Sequence, residues 1–305
     1  MTLKSNKLNA LFLSCRPRQW TKNLLVVAAP IFSFQFNETI FFNTFIALIC
    51  FCLISSSIYL LNDSLDVNQD RLHPIKKYRP IASGQISISF ARFCSILFLS
   101  ISFLISLNIS KLLFLILILY TIIQIAYCIK LKSKPIFDLL CISSGFLLRS
   151  IAGGVASILD ISPWFLLTVG LLAFFLAVEK RKAEILQYQE SGKLTRKVLK
   201  RYSLPLLLRM ESLSSTSAFI SYALWSSGPT VQGASTSWML LTTPFVLFGI
   251  FRYQLLSDPA EINRNKLKDL KFTTQNPEEI LLKDKGIKFT IVFWLITSIF
   301  ILLNN

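Results

Sequence analysis

Histidine is almost missing from this 305-residue chain, His73 being the only one. A lone imidazole does not make a zinc site. The six cysteines, Cys15, Cys50, Cys52, Cys94, Cys128 and Cys141, form no CxxC pair and lie mostly inside apolar runs. They read as packing residues, with no metal or disulfide framework implied. No repeat of short period is present, and the long basic loops are not of low complexity. A secretory signal is not expected. The apolar patch Leu8 to Cys15 is short, Arg16 and Arg18 follow it directly, and a small-residue cleavage site is absent.

What the chain has in abundance is apolar sequence: 53% of its residues are hydrophobic, and the mean hydropathy is +0.58. That balance belongs to a polytopic membrane protein and not to a soluble domain. The formal net charge of +16 does not indicate nucleic acid, because the basic clusters alternate with runs of membrane-spanning length. Nine such runs are expected, at about 17–36, 40–62, 86–107, 111–129, 136–157, 163–181, 204–227, 235–256 and 287–303. Lys and Arg collect in alternate loops: the N-terminal segment, the loop around residue 70, Lys130 to Lys134, Lys180 to Arg201, and Arg264 to Lys288. This alternation predicts a cytoplasmic N-terminus, an external C-terminus and all large polar clusters on the cytoplasmic face of one 1–305 domain. Residues 179–203 are expected to extend the sixth helix, with Gly192 as its stop. Residues 257–286, broken by Pro259 and Pro277, read as a cytoplasmic excursion.

The densest chemistry lies in NDSLDVNQDRLHPIKKYRPIASG, Asn62 to Gly84. Asp63, Asp66 and Asp70 at i, i+3 and i+7 fall within about 60° on one helix face. Three like charges on a stripe call for a cation, and Mg²⁺ suits hard oxygen ligands shared with phosphates. Arg71, His73, Lys76, Lys77 and Arg79 follow at once and supply charge-assisted donors for a diphosphate. The plain alternatives are a solvated helix end and, for His73, a helix-terminal residue before Pro74.

A second group comprises Tyr127, Lys130, Lys132 and Asp138, followed by a small-residue helix with Gly145, Arg149, Gly153 and Gly154. Arg149 is expected to face a polar cavity, because an arginine deep in a span costs roughly 2.5–3.5 kcal/mol. Asp138 and Arg149 share a face but are too far apart to pair, so an aspartate of the cassette or an anionic ligand is the expected partner. The glycines read as helix-packing positions. In the third group, Glu179, Lys180, Arg181, Lys182 and Glu184, the basic run reads first as a topology signal or lipid-surface contact. Lys180 and Glu184, four apart, would otherwise line the site.

These residues carry a resemblance. The cassette resembles the first aspartate-rich motif, N-D-x-x-D-x-x-x-D, of the UbiA-type membrane prenyltransferase superfamily. Its HPxKxxRPIASG ending is similar to the polyprenyl-phosphate phosphoribosyltransferase branch. So are RPRQWTKNLLVVAAPIFS at Arg16 to Ser33, YCIKLKSKPIFDLLCISSGFLLRSIAGG at Tyr127 to Gly154, EKRKAE at Glu179 to Glu184 and NPEEILLKDK at Asn276 to Lys285. The resemblance implies an all-α bundle of about nine transmembrane helices with a cytoplasm-facing central cavity, in a bacterial inner membrane. It implies transfer of 5-phosphoribosyl from phosphoribosyl diphosphate (PRPP) to a polyprenyl phosphate for cell-envelope glycan precursors. Asp63, Asp66 and Asp70 would be catalytic Mg²⁺ ligands. Substrate contacts would come from Asn62, Lys22, Arg71, His73, Lys76, Lys77, Arg79, Tyr127, Lys130, Lys132, Asp138, Arg149, Lys180, Arg181 and Glu184. Aromatic prenyltransferases of the superfamily place a second DxxxD where this chain has KRKAE, with one carboxylate among cations. That departure disfavours the alternative, an intramembrane aromatic prenyltransferase using a prenyl diphosphate. A transporter is disfavoured too, because its binding groups would gather at broken helices near the midplane.

Overall fold

The computed structural model describes residues 7–33, 35, 37–73, 75–192, 196–258, 280 and 283–304, and these contain helices and turns but no strand. The helices are α1 (Lys7–Ser14), α2 (Ala28–Ser33), α3 (Glu38–Leu65), α4 (Val67–Leu72), α5 (Ile88–Ile109), α6 (Lys111–Ile129), α7 (Phe137–Ala156), α8 (Pro163–Ser191), α9 (Leu204–Ser226), α10 (Thr243–Ser257) and α11 (Lys285–Leu303). Among the described residues, seven stretches are long and apolar enough to cross a membrane: Glu38–Leu65, Ile88–Ile109, Lys111–Ile129, Phe137–Ala156, Pro163–Gln189, Ser237–Ser257 and Lys285–Leu303. This is an integral membrane protein.

Two of the nine expected spans are not among those seven. The first, 17–36, contains a 3₁₀ segment, Pro17–Val27, and the six-residue α2. Its polar side chains are spent on neighbouring helices, as described below. The seventh, 204–227, does form the 23-residue α9, but Arg209, Glu211 and six serines lower its apolarity. α8 runs past the apolar stretch and stops at Gly192, whose φ of 65° is the left-handed cap expected there. The excursion with Pro259 and Pro277, and most of NPEEILLKDK, lies outside the described residues.

The chain divides into two compact units, Met1–Ile129 with Leu148–Asp160, and Lys130–Leu147 with Ile161–Asn305. The first is organised around α3. Asn37 caps this helix by accepting from the Ile40 N–H at 2.8 Å. At 28 residues, α3 is about 42 Å long and outlasts a hydrocarbon core of about 30 Å. Its acidic end therefore reaches the interface. Small residues let α5 approach closely: the Ser57 hydroxyl donates to the Ser95 carbonyl at 2.7 Å, and Ser95 Oγ returns a bond to Ser57 O at 2.9 Å. Phe51, Ile54, Leu113, Leu117, Tyr120, Leu148 and Ala152 form the core here.

The 3₁₀ segment is bound to this core through its polar residues. Trp20 Nε1 donates to Ser56 Oγ at 3.1 Å, and the fully buried Asn23 donates to Ser55 Oγ at 3.2 Å. On the other side the Val26 carbonyl rests on Gly153 so closely that a Cβ there would overlap its oxygen. This bears out the packing role expected of that glycine. Gly153→Ala is expected to displace the segment at a cost of about 1–3 kcal/mol, visible as a lower thermal midpoint in detergent; an unchanged midpoint would refute the close approach.

In the second unit α8 packs on α9 through Ala177, Val178, Ile185 and Leu207, which share a core with Leu139, Val198 and Tyr202. α10 and α11 pack together, and Tyr253, Leu256 and Ile287 join Phe175 in a second cluster. The cap of α11 is Asp284, accepting from the Ile287 N–H at 2.9 Å.

Candidate active site

The three aspartates do not lie on one unbroken helical stripe. Asp63 is in α3, Asp70 is in α4, and Asp66 is the junction between them, at φ −90°, ψ 7°. A run of Asn62, Asp63, Asp66 and Asn68 is poor in helix formers, and Asp and Asn favour helix ends, so the helix breaks here. The break nevertheless brings two carboxylates together. Asp63 and Asp70 are each 3% exposed, and Arg79 Nη1 donates to Asp63 Oδ1 at 3.1 Å and to Asp70 Oδ2 at 2.7 Å. Asp63 Oδ1 also accepts from Arg16 Nη2 at 2.5 Å and, weakly, from Asn62 Nδ2 at 3.4 Å. Asp66 is half-buried, and no group of three His, Cys, Asp or Glu side chains assembles as a metal cage among the described residues.

The basic tail divides its work. Arg71 Nε donates to the Ala82 carbonyl at 3.1 Å and braces the turn. His73 Nδ1 accepts from the backbone N–H groups of Ile75 and Lys76, each at 3.2 Å. Those bonds shape the 3₁₀ turn Lys76–Tyr78 that delivers Arg79. Lys77 lies over the Tyr78 ring at 5.1 Å. Loss of solvation, then the nearby Lys76 charge, lowers the His73 pKa below its usual 6.5. The neutral ring needed for both bonds is therefore favoured in the fold. Its contribution is fully present above 6.5 and lost as pH falls through the lowered value. The protection factors of the Ile75 and Lys76 amides are expected to fall over that acid range, and pH-independent protection would contradict this.

Arg149, for which an aspartate of the cassette or an anionic ligand is the expected partner, donates from Nε to Asn23 Oδ1 at 2.8 Å and from Nη2 to the Tyr120 hydroxyl at 2.8 Å. The guanidinium also faces the rings of Tyr120 and Phe51, at 5.0 and 5.7 Å. Arg149 thereby helps fix the segment that carries Arg16 and the half-buried Lys22. Tyr127 lies in the last turn of α6.

A second polar cluster forms within the other unit. Asp138, fully buried in the first turn of α7, accepts from Arg181 Nε at 2.8 Å and from the Tyr202 hydroxyl at 2.6 Å. Tyr202 in turn accepts the Ile136 N–H at 2.7 Å, which holds a β-branched residue at φ 67°. Burial, then the hydrogen bond to Asp138, raises the Tyr202 pKa, so it stays a donor. Arg181 also pairs with Glu184, whose other oxygen lies 3.4 Å from Arg196. Lys182 bonds Glu179 at 2.8 Å, Glu211 at 2.6 Å and Ser257 at 3.3 Å. Arg181 and Lys182 are 1% and 2% exposed, so the reading of this run as a lipid-surface contact is corrected for both. Lys130 precedes the 3₁₀ turn Leu131–Ser133, Lys132 lies within it, and Lys180 is half-buried on α8. The same unit has an apolar cleft of about 460 Å³ lined by Leu140, Ser143, Leu147, Leu166, Gly170 and Phe174, among others.

Arg16, Asn23, Tyr120 and Tyr202 are the residues that reading the sequence missed as site components. Arg16 and Asn23 left a signal, as members of RPRQWTKNLLVVAAPIFS.

Asp63 and Asp70 fit a magnesium ion by chemistry: their oxygens are hard, buried and already share a cation, and Mg²⁺ commonly takes only one or two carboxylates beside phosphate oxygens.

Fold and site together define a class: an all-helical integral membrane protein with buried acidic groups matched by arginines. The chain belongs to the UbiA prenyltransferase family, whose model matches residues 24–273. It is 35% identical to a decaprenyl-phosphate phosphoribosyltransferase of Mycolicibacterium smegmatis, over 95% of this chain and 91% of that one. The enzyme of the same name from Corynebacterium glutamicum is 33% identical, over 95% and 85%. Among solved structures, a UbiA homolog from Archaeoglobus fulgidus bound to GPP and Mg²⁺ superposes with a TM-score of 0.68 at 18% identity, covering 93% of this chain and 98% of that one. The family resemblance read from the cassette is thus borne out.

Proposed function

We propose that this protein transfers 5-phosphoribosyl from PRPP to a polyprenyl phosphate and releases diphosphate. The observation that carries the reading is the asymmetry of its acidic groups. Asp63 and Asp70 form one carboxylate pair suited to a metal diphosphate, whereas the place of a second acidic motif holds Glu184, bound to Arg181 and Arg196. Whole-length similarity to enzymes named as decaprenyl-phosphate phosphoribosyltransferases supports a phosphoribosyl donor.

Asp63 and Asp70, with Asp66 at the helix junction, would hold Mg²⁺. When bound it neutralises charge on the departing diphosphate. The bond from ribose C1 to the diphosphate oxygen breaks with its electron pair leaving on diphosphate. A lipid phosphate oxygen forms the new bond to C1, which passes through oxocarbenium character. That nucleophile is already anionic at neutral pH, so no strong general base is required. Lys22, Lys76 and Lys77 are the cations assigned to donor phosphates. Lys130, Lys132 and Lys180 are assigned to the lipid phosphate. Asp138, Arg181 and Tyr202 hold the start of α7, and Arg149 holds the Pro17–Val27 segment.

The positive loops favour an inner-membrane orientation with N-terminus and site in the cytoplasm. The apolar cleft of the second unit is assigned to the polyprenyl tail. A side chain at Gly170 would grow toward Leu147, 3.9 Å from its Cβ. Gly170→Phe is expected to raise KM for long-chain polyprenyl phosphate about tenfold and leave KM for PRPP unchanged; equal KM values for long and short lipids in wild type and variant would refute the assignment. Donor identity is tested by competition: PRPP analogues should inhibit, and geranyl diphosphate should not.

A further inference from the structure

We propose that Arg16 and Arg79 are resident counter-cations of the acidic site, which surrender its carboxylates only when metal and diphosphate arrive together. The inference rests on the functional reading above and adds an order of assembly to it. Asp63 and Asp70 have side chains only 4% and 5% exposed, whereas those of Arg16 and Arg79 are 28% and 26% exposed. The carboxylates are thus buried beneath guanidiniums that an incoming anion can reach. Asp63 Oδ1 is shared between both arginines, at 2.5 and 3.1 Å, and Arg79 bridges to Asp70 at 2.7 Å. The carboxylates of Asp63 and Asp70 are thus matched by two guanidiniums.

A divalent ion arriving alone meets Asp63 Oδ1 and Asp70 Oδ2 already bound by guanidiniums, and like charges oppose it. A diphosphate arriving alone draws the arginines but leaves two buried carboxylates uncompensated. Arriving together, they resolve both conflicts: the arginines pass to diphosphate oxygens, which suit their forked geometry, and the carboxylates pass to the metal. The local structure is built for such an exchange. Arg16 has φ 52°, ψ 62°, a left-handed conformation that a non-glycine residue adopts only under constraint. Its guanidinium lies 4.8 Å from the Tyr59 ring centroid, a seat that is kept whichever anion it faces. Arg79 leaves a turn already fixed by His73 and Arg71, so only its side chain has to move.

The test is Mn²⁺ binding to the full-length protein in nanodiscs, read by electron paramagnetic resonance, with Mn²⁺ alone, with inorganic diphosphate and with PRPP. Wild type is expected to bind Mn²⁺ weakly alone and at least tenfold more tightly with diphosphate. Arg79→Gln should bind Mn²⁺ alone about tenfold more tightly than wild type and lose most of the diphosphate enhancement. Arg16→Gln should do the same to a smaller degree, and Arg79→Lys should restore the wild-type pattern. A gain in metal affinity at one ion per protein, with an unchanged thermal midpoint, separates this effect from misfolding. Mn²⁺ alone binding Arg79→Gln no more tightly than wild type would overturn the inference and leave the phosphoribosyl reading standing. Enhancement by inorganic diphosphate without any by PRPP would keep the inference and remove that donor.

Discussion

Asp63→Asn is expected to lower turnover by about 10²–10³-fold, the scale seen when one preorganised electrostatic group is lost from a reacting centre. Asp63 Oδ1 is where Arg16, Arg79 and Asn62 converge, so the substitution removes both the proposed metal ligand and the anchor of the two arginines. The fold should survive. Arg79 keeps Asp70, and both arginines are more than a quarter exposed, so water solvates what the carboxylate gives up. Expression and the thermal midpoint in detergent should change little, with loss confined to the diphosphate-release rate. Turnover within threefold of wild type would remove Asp63 from the site. Asp66→Asn should have the smaller effect, because Asp66 is the half-buried junction residue.

Lys182→Met is expected to act in the opposite way, destabilising the protein by about 3–5 kcal/mol while sparing the activity of whatever folds. Lys182 is 2% exposed and joins Glu179, 1% exposed, to Glu211. Removing the ammonium leaves two buried carboxylates facing each other without a counter-charge. Glu179 Oε2 already has no hydrogen-bond partner, so the cluster has little capacity to adapt. Replacing all three groups at once, with Glu179→Gln and Glu211→Gln beside Lys182→Met, should recover most of the loss. Thermal unfolding and the yield of monodisperse protein would report it. A single variant as stable as wild type would show that these charges are solvated.

How much of this was legible in the sequence follows from the range of each interaction. The cassette was readable because its signal is local: Asp63 and Asp70 at i and i+7 do meet on one guanidinium, and the basic residue that joins them lies nine positions further on. The break at Asp66 was harder, since three acidic residues at helical spacing look the same whether or not the helix pauses between them. Arg16 lies 47 residues from Asp63, and Asn23 lies 126 from Arg149. No periodicity reports such distances. Arg181 and Lys182 carry the same local signature as a topology signal, and only packing against Asp138, Glu179 and Glu211 distinguishes a buried ion pair from a lipid contact. The 17–36 stretch read as a span because its second half is apolar, yet the hydrogen bonds of Trp20 and Asn23 and the turn of Arg16 hold its first half as a 3₁₀ segment on α3.

The central claim is that one acidic pair serves a sugar diphosphate donor. Its most direct measurement is to incubate the purified protein in nanodiscs with Mg²⁺, polyprenyl phosphate and PRPP, and to follow diphosphate and the lipid product by mass spectrometry. Diphosphate should appear in step with a lipid heavier by one phosphoribosyl group, and both should form about 10²–10³-fold more slowly in Asp63→Asn. No diphosphate from PRPP, or a prenyl group moved instead from a prenyl diphosphate, would contradict it.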